Sequence, residues 1–247
     1  MSMLKDRNIL LTGAARGLGA EIARSLAAHG ARLIVADIAE DEGRATALEV
    51  GAEFLPVDLA DPASIAALGA AVSDKTGGAL HGLVNNGAIA TGIGGIPFEK
   101  IEIDSWDLVH RVNVRGTWLM TRACAPMLRA SGSGRVVNVA SDTALWGAPN
   151  LLSYTASKGA VMAMTRSLSR ELGPDRVGIT AVAPGILTTP STDYVPEARH
   201  RLYSEGRAVP GPQAPGEITD VIAFLLSEGA LTLTGQTLPV NNGFVFK

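Results

Sequence analysis

Two residues of one predicted helix, Tyr154 and Lys158, have the types and the spacing to exchange a proton with a substrate oxygen. In the segment Ser153-Tyr-Thr-Ala-Ser-Lys158 they lie four residues apart, and residues at that spacing share one face of a helix. A tyrosine hydroxyl has a pKa of about 10 and is a poor base at neutral pH. A nearby ammonium group favours the phenolate and lowers that pKa, so the pair is a candidate proton acceptor or donor. Alone it is a weak indication, because surface helices often carry such a pair by chance.

A glycine-rich turn near the N-terminus has the features of a dinucleotide-phosphate site. Residues 8–19 read NILLTGAARGLG, an apolar strand followed by glycines and then by a helix. Glycine permits the tight bend and the close approach of a pyrophosphate, and the helix N-terminus offers unpaired N–H groups to the phosphates. The turn therefore predicts a set of cofactor-binding residues: Gly13, Arg16, Gly17, Leu18 and Gly19.

An acidic residue at the end of the second predicted strand indicates which dinucleotide binds. Asp37 follows Gly13 at close to the ~20-residue separation at which a carboxylate accepts hydrogen bonds from the adenosine ribose. Its charge would repel a 2′-phosphate, so NAD is predicted as the cofactor and NADP is less favoured. Arg16 could instead reach a 2′-phosphate, but a carboxylate beside a phosphate costs more than a mobile arginine returns. The positive charge of oxidised nicotinamide would also help to lower the pKa of Tyr154.

Taken together, the motifs resemble those of the short-chain dehydrogenase/reductase family. They are Thr12-Gly13-x-x-x-Gly17-x-Gly19, Asp58, Asn85-Asn86-Gly87, Asn113, Ser141, Tyr154-x-x-x-Lys158 and Pro184-Gly185, and their order and spacing match from about residue 5 to the C-terminus. The resemblance implies that Tyr154 is the catalytic acid/base and that Lys158 lowers its pKa and holds the ribose hydroxyls. It also implies that Ser141 stabilises the substrate oxygen and that Asn113 anchors a water in a proton relay.

The same resemblance implies further cofactor contacts. Asp58 and Leu59 would contact the adenine, and Asn86 and Gly87 the adenosine ribose. Beyond the sixth strand, Pro184 and Gly185 would also contact the cofactor. Ile186 and Thr189 would meet the nicotinamide carboxamide, with Thr188 as a rival to Thr189.

The chain departs from the family pattern at two turns. The family usually has Asn-Asn-Ala-Gly where this chain has Asn85-Asn86-Gly87-Ala88, so a positive φ at Ala88 would be strained. It commonly has Asp-Gly-Gly where this chain has Asn241-Asn242-Gly243.

The segments that position these residues alternate between short apolar runs and longer helical patterns. Most runs are apolar at successive positions, as in strands covered by helices on both faces. The alternation predicts an α/β fold, a Rossmann-like three-layer sandwich with a doubly wound, seven-stranded parallel sheet, in one domain spanning residues 1–247. The predicted strands are 8–12, 32–36, 53–57, 83–85, 135–140, 179–183 and 237–240, and the predicted helices are 17–29, 40–49, 62–76, 104–130, 154–172 and 216–228.

Two segments are expected to form the walls of a substrate site. Residues 188–215 are rich in proline and lack periodicity, and we expect an irregular loop that closes over the substrate. This loop carries Tyr194, Arg199, His200, Arg201, Tyr203 and Arg207. Residues 144–152, between Ser141 and Tyr154, would form the opposite wall. Their apolar side chains favour a hydrophobic or aromatic substrate: Leu145, Trp146, Leu151 and Leu152.

Composition excludes several other classes of protein. With 47% hydrophobic and 18% charged residues, the chain is expected to be globular. Its net charge is −3 and it has no basic block, so nucleic acid is not an expected partner. It has no run of 18 apolar residues and no signal peptide, which predicts no membrane span and a cytoplasmic location. The single Cys124 cannot form an internal disulfide, and four scattered histidines indicate no metal site.

These observations predict an NAD-dependent oxidoreductase that acts on a secondary alcohol or its ketone. The main alternative is an NAD(H)-binding sensor or scaffold without turnover, which the joint presence of Asn113, Ser141, Tyr154 and Lys158 argues against. Dehalogenation and epimerisation remain alternatives within enzymes, although relatives of those kinds lack or differently space the glycines. The family resemblance further implies a homotetramer.

Overall fold

The computed structural model describes residues 2–189 and 192–246, so Pro190 and Ser191 of the expected substrate loop lie outside the described residues. Its centre is a seven-stranded parallel sheet in the order β3-β2-β1-β4-β5-β6-β7. The strands are β1 (Asn8–Thr12), β2 (Arg32–Asp37), β3 (Glu53–Pro56), β4 (Gly82–Asn85), β5 (Arg135–Val139), β6 (Gly178–Pro184) and β7 (Thr237–Val240). The predicted doubly wound α/β fold is confirmed.

Helices cover both faces of the sheet. They are α1 (Gly17–Ala28), α2 (Glu40–Val50), α3 (Pro62–Thr76), α4 (Ile103–His110), α5 (Thr117–Ala130), α6 (Thr143–Trp146), α7 (Leu152–Leu172), α8 (Glu197–Gly206) and α9 (Gly216–Leu225). None of the described helices combines the length and the apolar character needed to cross a bilayer.

The core lies on both faces of the sheet because successive residues of a strand point to opposite sides. On β1, Leu11 packs in the cluster that contains Ile22 of α1 and Ile218 of α9. Its neighbour Leu10 packs on the other face, in the cluster that contains Leu68 of α3 and Cys124 of α5. Burial raises the pKa of the Cys124 thiol to about 12, in keeping with a core residue.

Two predicted segments differ from the structure. The single helix expected over 104–130 is interrupted by a π-helical turn, Arg111–Gly116, between α4 and α5. The irregular loop expected over 188–215 contains the ten-residue helix α8. In both cases tertiary contacts, described below, account for the local structure.

The topology determines where a ligand can bind. From β1 the chain proceeds to β2 and β3 on one side and then returns to β4 on the other side of β1. Open parallel sheets bind ligands at the carboxyl ends of the strands, where the strand order reverses in this way. That point lies beyond Thr12 and Asn85, next to the glycine turn.

Candidate active site

The glycine turn has the geometry of a phosphate site. Gly13 and Gly17 have φ values of +68° and +56°, in the left-handed region that favours glycine. A Cβ atom on Gly19 would lie 1.8 Å from the carbonyl oxygen of Gly13, so only glycine fits this contact. Helix α1 begins without a side-chain cap and without an acidic residue in its first turn. Its first N–H groups therefore remain available to an anion, and these residues fit the pyrophosphate of a dinucleotide.

A cavity of about 300 Å³ lies beside this helix N-terminus. Arg16 and Gly17 line it from the glycine turn, while Thr188 and Thr189 line it from the segment after β6. The structure thus brings together two predicted cofactor regions that are far apart in the sequence. Thr188 is exposed and Thr189 is buried, and both reach the same cavity.

The Asp37 carboxylate is fixed at the carboxyl end of β2. One oxygen accepts a hydrogen bond from the Ala15 N–H at 2.9 Å, and the other accepts from the Ala39 N–H at 3.0 Å. A carboxylate has about four acceptor sites, so lone pairs remain for the hydroxyls of a ribose. Arg16, in contrast, is exposed.

The turn after β4 is joined to the glycine turn by direct hydrogen bonds. The Thr12 hydroxyl accepts from the N–H groups of Asn86 and Gly87, each at 3.2 Å. The Asn86 side chain donates to the Gly13 carbonyl at 2.8 Å. A Cβ atom on Gly13 would lie 2.4 Å from the Gly87 Cα, so the two glycines need each other's small size. Ala88 does not have a positive φ, and the exchange of the two small residues therefore introduces no strain there.

The predicted adenine contacts lie in a turn after β3. The Asp58 carboxylate accepts from the Ala60 N–H at 2.8 Å, and the Asp58 N–H donates to the Ser64 hydroxyl at 2.9 Å. Leu59 lies between two glycines: a Cβ atom on Gly87 would be 2.7 Å from its side chain, and one on Gly116 would be 2.8 Å from its carbonyl oxygen. The turn after β3 therefore packs directly against the turn after β4, which is itself hydrogen-bonded to the glycine turn.

Asn113 is buried in the π-helical turn between α4 and α5. Its side chain accepts from the Ile89 N–H at 2.8 Å and donates to the Ile89 carbonyl at 3.0 Å and to the Ser157 hydroxyl at 3.1 Å. Its own carbonyl accepts from the Thr117 hydroxyl at 2.8 Å. The side chain thus joins the loop after β4 to α7 with both of its amide hydrogens, while its oxygen, which accepts one bond, keeps a lone pair that a water could use.

Tyr154 and Lys158 lie in the first two turns of α7. The Lys158 ammonium group is buried, donates to the Val139 carbonyl at 2.7 Å and lies 5.5 Å from the centre of the Tyr154 ring. Burial lowers the pKa of Lys158 to about 8. Burial also raises the pKa of Tyr154 to about 12; a hydrogen bond with Ser141 opposes this, and the charge of Asp142 adds to it.

The direction of the Tyr154 shift is opposite to the expected one. The sequence suggested that Lys158 lowers the Tyr154 pKa, but in the protein alone burial outweighs any such effect. The positive charge of oxidised nicotinamide is the contribution that would act in the expected direction.

Ser141 lies directly after β5 and is buried at 7% exposure. Its oxygen accepts hydrogen bonds from the hydroxyl and the N–H of Thr143, at 3.0 and 3.3 Å. Because both bonds are received, Ser141 keeps one hydrogen to donate, and its hydrogen bond with the Tyr154 hydroxyl uses it. The arrangement favours donation to an oxygen held beside Tyr154.

A buried polar cluster next to Ser141 was not predicted from the sequence. We call Asp142, Trp146, Tyr203 and Asn241 the Asp142 cluster. Asp142 is fully buried, and its oxygens accept from the Tyr203 hydroxyl at 2.7 Å and from the Asn241 amide at 3.0 Å. The Tyr203 hydroxyl also accepts from the Trp146 indole at 3.0 Å. No short sequence motif connects these four residues.

Several residues expected to face a substrate are engaged in structural contacts instead. Tyr203 is buried in the Asp142 cluster. Arg207 is also buried and donates to the carbonyls of Ile186 and Gly211, at 2.7 and 2.6 Å. Burial lowers its pKa, and the charge of Asp142 opposes that change. Tyr194 is half exposed, and its hydroxyl donates to the Ala90 carbonyl at 2.7 Å.

Because the Asp142 carboxylate is buried, the stability of the folded protein should depend on pH. Relative to Asp142→Asn, we expect the free energy of unfolding of the wild-type protein to fall by about 2–3 kcal/mol as the pH rises from about 4 to about 6.5. Burial raises the pKa of Asp142 to about 6, against the opposing hydrogen bonds of Tyr203 and Asn241 and the charge of Arg207. The folded state therefore holds the proton more tightly than the unfolded chain, and this stabilisation is lost as the pH rises through the folded pKa. Denaturant unfolding of both proteins across this range measures it; a constant difference would contradict the raised pKa.

Comparisons with known proteins extend over nearly the whole chain. A family model described as enoyl-(acyl carrier protein) reductase matches residues 13–245. A 3-alpha-(or 20-beta)-hydroxysteroid dehydrogenase of Mycobacterium bovis is 35% identical over 239 residues, covering 96% of this chain and 88% of that protein. A trans-4-hydroxycyclohexanecarboxylate dehydrogenase of Sinomonas cyclohexanicum is 35% identical over 260 residues, covering 98% and 96%. A crystal structure described as ribose-5-phosphate isomerase from Brucella melitensis has a TM-score of 0.91 at 29% identity and covers 98% of this chain and 93% of that chain.

Proposed function

Because this chain belongs to the short-chain dehydrogenase/reductase family, we propose that it transfers a hydride between NAD(H) and a secondary alcohol or the corresponding ketone. The observation that carries the proposal is the arrangement of Ser141, Tyr154 and Lys158 at the carboxyl end of the sheet. A hydroxyl that can donate its hydrogen, a phenol and a buried ammonium group lie together there. The anion-binding turn of α1 lies at the same end of the sheet, so a dinucleotide and a substrate oxygen can be held side by side.

Each residue of the site has a chemical task in this proposal. The nicotinamide, when bound, supplies or accepts the hydride. Tyr154 takes the proton from the alcohol oxygen during oxidation and returns it during reduction. Ser141 donates its hydrogen bond to the same oxygen and stabilises the negative charge that develops on it.

Lys158 and Asn113 support the proton transfer. Lys158 has three N–H donors, of which one is bonded to the Val139 carbonyl. The remaining two can hold ribose hydroxyls and a water. The Asn113 side chain donates both of its amide hydrogens, to Ile89 and to Ser157, so in a proton relay Asn113 would accept a hydrogen bond from a water.

The relatives and the residues between Ser141 and Tyr154 support one class of substrate. The two dehydrogenases named above are described as acting on a hydroxysteroid and on a hydroxylated cyclohexane ring. In this chain, Leu145 and Leu151 are partly buried in the same segment. These features support a secondary alcohol on an apolar ring as the substrate.

The direct test is reduction of NAD, and then of NADP, monitored by the absorbance of the reduced nicotinamide across a panel of cyclic and aromatic secondary alcohols. Signal with NAD supports the proposal. The alternative is a sensor that binds NADH without turnover. NADH binding with no signal on any alcohol or ketone would favour that alternative.

We expect Asp37→Ser to raise the ratio of kcat/KM with NADP to kcat/KM with NAD by at least ~10-fold, because it removes a negative charge that would face the 2′-phosphate. Serine can still accept one of the two backbone N–H groups that Asp37 binds. Initial rates with the two cofactors measure the ratio. Arg16→Ala is the matched control and should move the ratio in the opposite direction. An unchanged ratio in Asp37→Ser would mean that Arg16, and not Asp37, discriminates between NAD and NADP.

A further inference from the structure

Helix α8 is attached to the rest of the protein chiefly through one side chain. The helix reads EARHRLYSEG, and Tyr203 is its one buried residue. Leu202 beside it is 47% exposed. Two further side chains of α8 contact neighbouring segments. Arg199 lies over the Trp146 ring and donates to the Pro149 carbonyl at 3.4 Å, and the His200 ring hydrogen-bonds with the Thr192 carbonyl at 3.2 Å. A helix this polar gains little from apolar burial, so its position depends on what holds Tyr203 and on the buried Arg207 that directly follows the helix.

Tyr203 is held on every side. Its hydroxyl donates to Asp142 at 2.7 Å and accepts from Trp146 at 3.0 Å. Its ring stacks on Phe244 with centroids 4.2 Å apart. The hydrogen bond to Asp142 is of the charge-assisted kind, which is roughly twice as strong as a neutral one.

Asp142 joins α8 to the catalytic strands. It follows Ser141, its N–H donates to the Pro184 carbonyl at 2.9 Å, and its second oxygen accepts from Asn241. The ends of β5, β6 and β7 therefore meet at one residue, whose carboxylate binds Tyr203 of α8 and Asn241 and whose N–H binds Pro184.

We propose that Asp142 is a positioning residue that fixes α8 over the substrate side of the active site through the Tyr203 hydroxyl. The position of α8 supports this assignment. Arg199 of α8 lies on Trp146, in the segment between Ser141 and Tyr154, and Tyr194, just before α8, donates to the Ala90 carbonyl in the loop after β4. The effect on turnover rests on the proposed function, whereas the attachment of α8 does not.

The charge on Asp142 gives the proposal a signature that simple packing lacks. Around the carboxylate, Tyr203, Asn241 and Arg207 favour the charged form, while the phenol of Tyr154 faces it from α7. The charge of Arg199 opposes the rise that burial causes in the pKa of Tyr203. Removing the Tyr203 hydroxyl leaves a buried carboxylate with one donor fewer, which costs more than losing a bond between neutral groups. A neutral residue at position 142 should therefore suppress the defect.

The test is hydrogen exchange of the α8 amides at pH 8 in the wild-type protein, Tyr203→Phe, Asp142→Asn and the double variant. We expect Tyr203→Phe to speed exchange across 197–206 by at least ~10-fold, with β5 and β6 unchanged. The double variant should recover part of the protection. Tyr154→Phe is the matched control, because it removes a phenol hydroxyl from the active site without touching α8, and it should leave α8 protected.

Turnover gives a second readout. Tyr203→Phe should raise the KM for the alcohol by at least ~10-fold, with a smaller change in kcat and none in the dissociation constant of NADH. Unchanged α8 protection in Tyr203→Phe, or a double variant with exchange faster than in either single variant, would overturn the proposal. If Tyr203→Phe does not fold, Asp142→Asn replaces it, and unchanged protection of the α8 amides in that variant would overturn the proposal. If no alcohol is turned over, the proposed function fails, but hydrogen exchange still tests whether Asp142 fixes α8.

Discussion

Replacement of Tyr154 by phenylalanine should lower kcat by about 10³–10⁴-fold while NADH binding stays nearly intact. The substitution removes only the hydroxyl that would exchange a proton with the substrate oxygen. The ring remains on α7, and so does its contact with the Lys158 ammonium group at 5.5 Å from the ring centre. Ser141 keeps its bonds from Thr143 and continues to offer its hydrogen to the substrate. The loss should therefore be specific to proton transfer.

Steady-state rates with the best alcohol of the panel and NADH titration by fluorescence measure the two effects. Tyr194→Phe is the matched control, because it also removes one phenol hydroxyl near the site. That hydroxyl bonds the Ala90 carbonyl at a half-exposed position, and a bond of this kind is worth no more than about a tenfold change. Appreciable turnover in Tyr154→Phe would mean that the proton leaves by another route, and the assignment of Tyr154 would be wrong.

The strands could be predicted from the sequence because their signal is local. A strand covered on both faces needs a short run of consecutive apolar residues, and β1 and β7 have the bounds that such runs predict. Helix α8 could not be predicted in the same way. Its burial rests on Tyr203 alone, so it has no apolar stripe with a helical period. The π-helical turn at Asn113 was missed for the opposite reason, since the pattern on both sides of it is helical.

The parts of the site also differ in whether their sequence signal is local. The glycine turn and the Tyr154–Lys158 pair are read from residues close together in the sequence. Asp142, in contrast, binds Tyr203 and Asn241, which are 61 and 99 residues away. The Tyr154 pKa was expected to fall because two positive charges, those of Lys158 and of oxidised nicotinamide, could be inferred from the motifs. Its rise to about 12 comes from burial by distant segments, which the sequence does not reveal.

A substitution in the glycine turn is expected to have the second large effect. We expect Gly19→Ala to weaken NAD(H) binding by at least ~100-fold and to lower the free energy of unfolding by about 1–3 kcal/mol. The new Cβ atom would lie 1.8 Å from the Gly13 carbonyl oxygen. That oxygen cannot simply move aside, because the Asn86 amide binds it at 2.8 Å and the Gly13 N–H donates to the Ala36 carbonyl at 2.8 Å. The start of α1 must shift instead, and its first N–H groups then no longer point to the phosphates of the cofactor.

Gly159→Ala separates this effect from the general cost or gain of replacing a glycine in a helix. Gly159 lies within α7, and a Cβ atom there would meet no atom within 4 Å. Alanine should therefore stabilise α7 by about 0.5–1 kcal/mol and leave NADH binding unchanged. Isothermal titration with NADH and denaturant unfolding of both variants make the comparison. If Gly19→Ala bound NADH as tightly as Gly159→Ala, the start of α1 would not be the phosphate site, and the cofactor would have to be bound elsewhere along the carboxyl edge of the sheet.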